Sequence, residues 1–105
     1  MNVSQKVQIV KRRKVLRRRD VLEKIVSILY YIYVNKHTCV GLRDISRDLH
    51  MSLSTVSKYV MLLKEKGLIE VEKKGKKYCL KLTPKGVDAV VVSQRLLGIL
   101  GLRIE

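Results

Sequence analysis

Between Leu42 and Leu82 the spacing of apolar residues switches from helical to alternating, with only short breaks between segments, and this leaves few folds open. Leu42, Ile45 and Leu49 share one face of a helix, with Arg43, Asp44, Arg47 and Asp48 on the other. His50-Met51 reads as a turn, and Ser52 stands where a hydroxyl caps the next helix. In that helix Val56, Val60 and Leu63 form an inward stripe, and Gly67 closes it. Ile69-Glu70-Val71-Glu72 then alternates as a strand. Lys73-Lys74-Gly75-Lys76 supplies the glycine of a tight hairpin, and Tyr78, Leu80 and Leu82 alternate back on one face. Thr83 is placed to cap a last helix that has Pro84 at its first position.

Upstream, Val21, Leu22, Ile25, Ile28, Leu29 and Ile32 recur at helical spacing up to about Val34. Asp20 and Glu23 form a capping box at its start, and Asn35 is a left-handed stop at its end. His37 to Val40 is a short strand, ended by Gly41. Residues 1–19 hold eight basic residues and no acidic one, and their apolar residues keep no period for long. This segment reads as a basic arm, or as a solvated, charged extension of the first helix. At 105 residues the chain holds one core. Its expected division is an arm (1–19), a helix–turn–helix unit with its hairpin (20–86) and a C-terminal helix (87–105).

The formal charge of +14, from 23 Lys and Arg against 9 Asp and Glu, calls for a polyanionic partner. Nucleic acid and an anionic membrane surface are the two candidates. The most apolar stretch, from Val87 to Ile104, is broken by Asp88, Gln94 and Arg95, which argues against a membrane span. No secretory signal is visible, so an intracellular, nucleoid-associated location is expected. No phosphate-binding loop, carboxylate pair, HExxH or CxxC occurs, and the chain is expected not to be an enzyme and to carry no cofactor. His37 and Cys39 can project from one side of a strand, but two ligands do not make a metal site.

The stretch "LRDISRDLHMSLSTVSKYVMLLKEKGLIE", with its "SLSTVSK" helix start and "KGLIE" exit, followed by "YCLKLTPKG" after a basic hairpin, resembles the winged helix-turn-helix of MarR-like and related small archaeal, or archaeal mobile-element, regulators. The resemblance runs from about Asp20 to the C-terminus. It implies an α+β winged helix-turn-helix with a three-helix core, a β-hairpin wing and a C-terminal dimerisation helix. It further implies double-stranded DNA as partner, read by a recognition helix whose short polar residues Ser54, Thr55, Ser57 and Lys58 allow close approach to the bases. Lys73, Lys74, Lys76 and Lys77 would serve as a wing on the phosphates. Lys11, Arg12, Arg13, Lys14, Arg17, Arg18 and Arg19 of the arm would add salt-sensitive affinity.

Two departures stand out. Met61 and Leu62 are apolar where such helices carry charge, which suggests a back covered by the arm or by a partner subunit. The chain also lacks the length that larger relatives use for a ligand pocket, so no small-molecule effector is expected. In a winged helix the strand before the second helix pairs with the returning strand of the wing, which would bring Cys39 beside Cys79. A disulfide is one outcome. Two thiols, with Cys79 opposite Tyr78 and Leu80 and away from the core, is the other.

The last helix carries more apolar residues than one domain needs. Val87, Val90, Val91, Leu97 and Leu100 can cover the core, leaving Val92, Leu96, Ile99, Leu102 and Ile104 outside. A homodimer interface through Val92, Leu96, Ile99 and Leu102 follows, with wrapping by the first helix as the alternative. The expected function is a sequence-specific transcriptional regulator, a repressor. An architectural DNA-coating protein and a protein–protein interaction module are the other readings.

Overall fold

The structure, a computed structural model, describes residues 21–101. The expected cap at Asp20, the basic arm and Leu102 lie outside them. Helix α1 covers residues 21–34, α2 Leu42–Asp48, α3 Leu53–Glu65 and α4 Pro84–Leu100, with strands β1 (Ile69–Lys74) and β2 (Lys77–Leu82) between α3 and α4. Helix α4 begins three residues before the boundary expected at Val87, so that boundary cuts a continuous helix.

The core is aliphatic. Ile28, Leu29 and Ile32 of α1, Ile45 of α2, Val56, Val60 and Leu63 of α3, Ile69 and Leu80 of the hairpin and Val90 of α4 are buried together. Tyr59 joins them, although the inward stripe read from the sequence had left it out. Among the described residues no polar or charged side chain is buried, so burial of apolar area carries the stability.

Helix α1 stops differently from expectation. Asn35 is not left-handed; its side-chain amide donates to the Tyr31 carbonyl at 2.9 Å. Its own carbonyl accepts from both the amide and the hydroxyl of Thr38. Side-chain capping thus satisfies the helix end where a positive φ was expected. His50, at φ 55° between α2 and α3, is the left-handed non-glycine residue among those described. Across the same corner the Ser46 hydroxyl donates to the Met51 carbonyl at 2.6 Å.

The expected strand from His37 to Val40 contracts to one antiparallel bridge, Val40 to Leu80, in which the Leu80 amide donates to the Val40 carbonyl at 2.8 Å. Next to it Cys39 and Cys79 form a disulfide with Cα atoms 4.9 Å apart. Cys79 is buried but stands outside the core cluster that holds Leu80, and the Cys39 segment bonded to it lies over it. The hairpin pairs Ile69 with Leu82 at its base and Lys74 with Lys77 at its tip, turning through Gly75-Lys76. Gly75 has φ 64°, which an L side chain resists. Only the base of the hairpin rests on the helices, so Val71 and Tyr78 are exposed despite their place in the alternating pattern.

Candidate nucleic-acid interface

Helix α3 is held at both ends. At its start the Ser52 hydroxyl accepts from the Thr55 amide at 3.2 Å and donates to the Thr55 hydroxyl at 2.7 Å. At its end the Lys66 carbonyl accepts from the Lys85 ammonium at 2.9 Å, and the Gly67 carbonyl accepts from the Thr83 hydroxyl at 2.6 Å. Its partner α2 is tied to α1 through Tyr31, whose phenol donates to Asp48, while Arg47 bridges Asp48 at 2.9 Å and Asp44 at 3.1 Å. Burial, the hydrogen bond to Asp48 and the negative charges of Asp48 and Asp44 push the Tyr31 phenol up to about 12. The hydrogen bonds from Arg47, then Tyr31, hold the Asp48 carboxyl below its ordinary range. These contacts fix how far α3 stands out from the core.

Of the four residues expected to read bases, Ser54 and Lys58 are exposed on the outward face, and Ser57 is half-buried on the side toward the hairpin. Thr55 is half-buried, with its hydroxyl already engaged by Ser52, so it belongs to the cap. Lys58 extends its ammonium to 5.8 Å from the Tyr59 ring centre, a loose contact that leaves the charge outward.

Met61 is expected to be covered by the arm, which lies outside the described residues, or by a partner subunit. In the single chain it is 61% exposed and shares the outward face with Ser54 and Lys58, while Leu62 beside it is half-buried. A step of 100° per residue would have found this, because Ser54, Lys58, Met61 and Glu65 fall on one stripe opposite Val56, Val60 and Leu63.

All four hairpin lysines, Lys73, Lys74, Lys76 and Lys77, are exposed. Lys73 lies 5.6 Å from the centre of the Tyr78 ring, and Lys74 is 3.7 Å from Glu72 in a surface ion pair. Neither contact buries the charge, and an exposed pair of this kind holds a lysine weakly. Among the described residues no group of three or more His, Cys, Asp or Glu is placed to hold a metal ion. No described helix is long and apolar enough to cross a membrane.

No family model and no curated protein matches the chain. Solved structures do. MepR, a transcription regulator of the Staphylococcus aureus multidrug efflux pump MepA, aligns over 96% of this chain and 80% of its own, with a TM-score of 0.73 and 18% identity. The fold is a winged helix. The winged helix of the MepR–DNA complex aligns over 96% of this chain and 79% of its own, with a TM-score of 0.67 and 19% identity. The transcriptional regulator BldR from Sulfolobus solfataricus aligns over 95% and 81%, with a TM-score of 0.64 and 17% identity. Against one mutant form of MepR from a multidrug-resistant clinical isolate the identity is 24%, over 66% of this chain and about half (52%) of that one. MepR is also known bound to ethidium bromide, so these winged-helix neighbours lend no support to the expectation that an effector is absent.

In the winged-helix frame α2 and α3 are the helix-turn-helix, α3 is its second helix and the β1–β2 hairpin is the wing. Lys58 and Lys64 on α3 and Lys73, Lys74, Lys76 and Lys77 on the hairpin are all exposed.

Proposed function

We propose that this protein is a sequence-specific regulator of transcription that binds double-stranded DNA as a homodimer and acts as a repressor. The observation that carries the reading is the face of α3 on which Ser54 and Lys58 are exposed, with Ser57 half-buried toward a lysine-tipped wing, on a chain of charge +14. Short polar side chains at a helix start suit close approach to base edges, and exposed lysines suit phosphates. No catalytic role belongs to this reading, and its place in the cell is wherever DNA is. The large positive charge also favours a second reading, a DNA-coating architectural protein with little sequence preference. Duplexes selected from a random library, competed against random duplex DNA, separate the two. A regulator retains the selected duplex in about 10³-fold or greater excess of competitor. Retention no better than for random DNA overturns sequence specificity.

The homodimer is supported by α4, whose Val92, Leu96 and Ile99 are exposed; Leu102 lies outside the described residues. Val91 and Leu100, expected to cover the core, are exposed too, because the core ends near Val90 and α4 runs on past it. The apolar face is therefore broader than the sequence suggested, and such a face on a monomer is unusual. In sedimentation the protein should be a dimer at micromolar concentration, and Ile99→Glu should be a folded monomer. A monomeric wild type would end the dimer reading and with it the expectation of a two-fold symmetric operator.

A further inference from the structure

Met61 has no structural task that its chemistry explains. It sits in the middle of the outward stripe of α3, 61% exposed, and is neither in the core cluster nor among the half-buried residues packed against it. Across from it the wing presents Val71 and Tyr78, 39% and 63% exposed. Together with Ser57, Lys64 and the buried Val60 and Leu80 they line an open, mainly apolar cleft of about 210 Å³. Lys64 lines the cleft from the helix, and on the wing Lys73 lies 5.6 Å from the ring of Tyr78, which lines it from the other side. No carboxylate is among the residues that line the cleft.

Charge complementarity therefore selects a polyanion as the occupant of an apolar cleft. On the base edges of duplex DNA one apolar group projects into the major groove, the C5 methyl of thymine. A flexible thioether side chain at the centre of a helix face that meets those edges is suited to packing on it. We infer that Met61 is a specificity-determining residue that packs against a thymine methyl, with Val71 and Tyr78 closing the apolar side of the contact. The inference rests on the DNA-binding reading above and names one base feature that the face reads.

Its test uses duplexes selected from a random library by the full-length protein, remade with deoxyuridine at one thymine at a time. That change removes one methyl and leaves every hydrogen-bonding group in place. At the contacted thymine, wild-type affinity should fall about fourfold, the value of burying one methyl. Met61→Ala should bind thymine and deoxyuridine versions alike, whereas Met61→Leu, still able to pack, should retain a preference. Thermal melting of both variants, expected to match wild type because Met61 is outside the core, establishes that they are folded. If wild type binds the selected duplex tightly yet loses nothing at any deoxyuridine position, the inference is overturned. It is also overturned if Met61→Ala keeps the full preference, as it would if the arm or a second subunit covered Met61 in the complex. Failure of the protein to bind any duplex would instead remove the DNA-binding reading beneath it.

Discussion

Gly86→Ala should be the most damaging single methyl that can be added to the described part of this protein. Gly86 is buried in the first turn of α4, where its amide donates to the Thr83 hydroxyl at 3.0 Å. Thr83 is in turn bonded through its amide to the Leu68 carbonyl at 3.1 Å and through its hydroxyl to the Gly67 carbonyl. The helix start is thus clamped onto the segment joining α3 to β1. A Cβ on Gly86 would stand 2.2 Å from the Leu68 carbonyl oxygen and 3.2 Å from Leu82 Cδ2. The first neighbour is backbone and already occupied by a hydrogen bond, so it cannot swing aside. Relief requires α4 to move as a body, which also loosens Val90 from the core. Overpacking of this kind costs about 1–3 kcal/mol. For a domain of this size a loss near the upper end lowers the melting temperature by on the order of 10–20 °C. Gly98, in the same helix, has nothing within 4 Å of its would-be Cβ. Gly98→Ala should therefore gain about 0.5–1 kcal/mol from helix propensity. Equal melting temperatures for the two variants would show that the clamp does not constrain α4.

That pair of glycines also marks where reading a sequence by period reaches its limit. Gly86 and Gly98 are alike in a one-dimensional pattern, and only the Leu68 carbonyl, brought close by the hairpin, tells them apart. Local signals carried well. Ser52 and Thr83 cap the helices they precede, Gly67 follows α3, and Val56, Val60 and Leu63 face inward. Each of these depends on residues within one or two turns of the chain. What depended on distant packing was misplaced. Tyr78 and Val71 obey strand alternation but project beyond the helices that would bury them. Cys79 is buried outside the core cluster because a segment forty residues away lies over it.

The candidate interface shows the same division. Ser54 and Lys58 were legible because a helix start and an outward stripe are local properties. Thr55 was assigned outward because its type suits DNA, but its hydroxyl is taken by Ser52, three residues back. Met61 stands beside Lys58 by the helical step alone. For Thr55, residue type outweighed geometry.

Affinity for duplex DNA should collapse between 50 mM and 200 mM salt, by on the order of 10⁵-fold if a dimer neutralises roughly ten phosphates. The charge is in place for this. Lys58 and Lys64 on α3 and the four wing lysines are exposed, the nearest ion pair is the loose one between Lys74 and Glu72, and the chain as a whole carries +14. Each phosphate neutralised releases condensed counterion, so the plot of log K against log[salt] should have a slope near about −9. Replacing Lys73, Lys74, Lys76 and Lys77 together by alanine removes up to four phosphate partners per subunit. The slope should become shallower by about 0.9 for each phosphate that is no longer neutralised, with equal weakening on selected and random DNA. Lys58→Ala should behave otherwise, costing about 1–3 kcal/mol on the selected duplex and less on random DNA. The wing stands clear of the core, so neither change should alter the melting temperature much. A measured slope of about −2 or shallower would mean that few phosphates are engaged, and the basic surface would then need another explanation. A slope unchanged by removal of the wing lysines would move the phosphate-binding charge to the rest of the chain, leaving the hairpin a structural extension and α3 to dock without it.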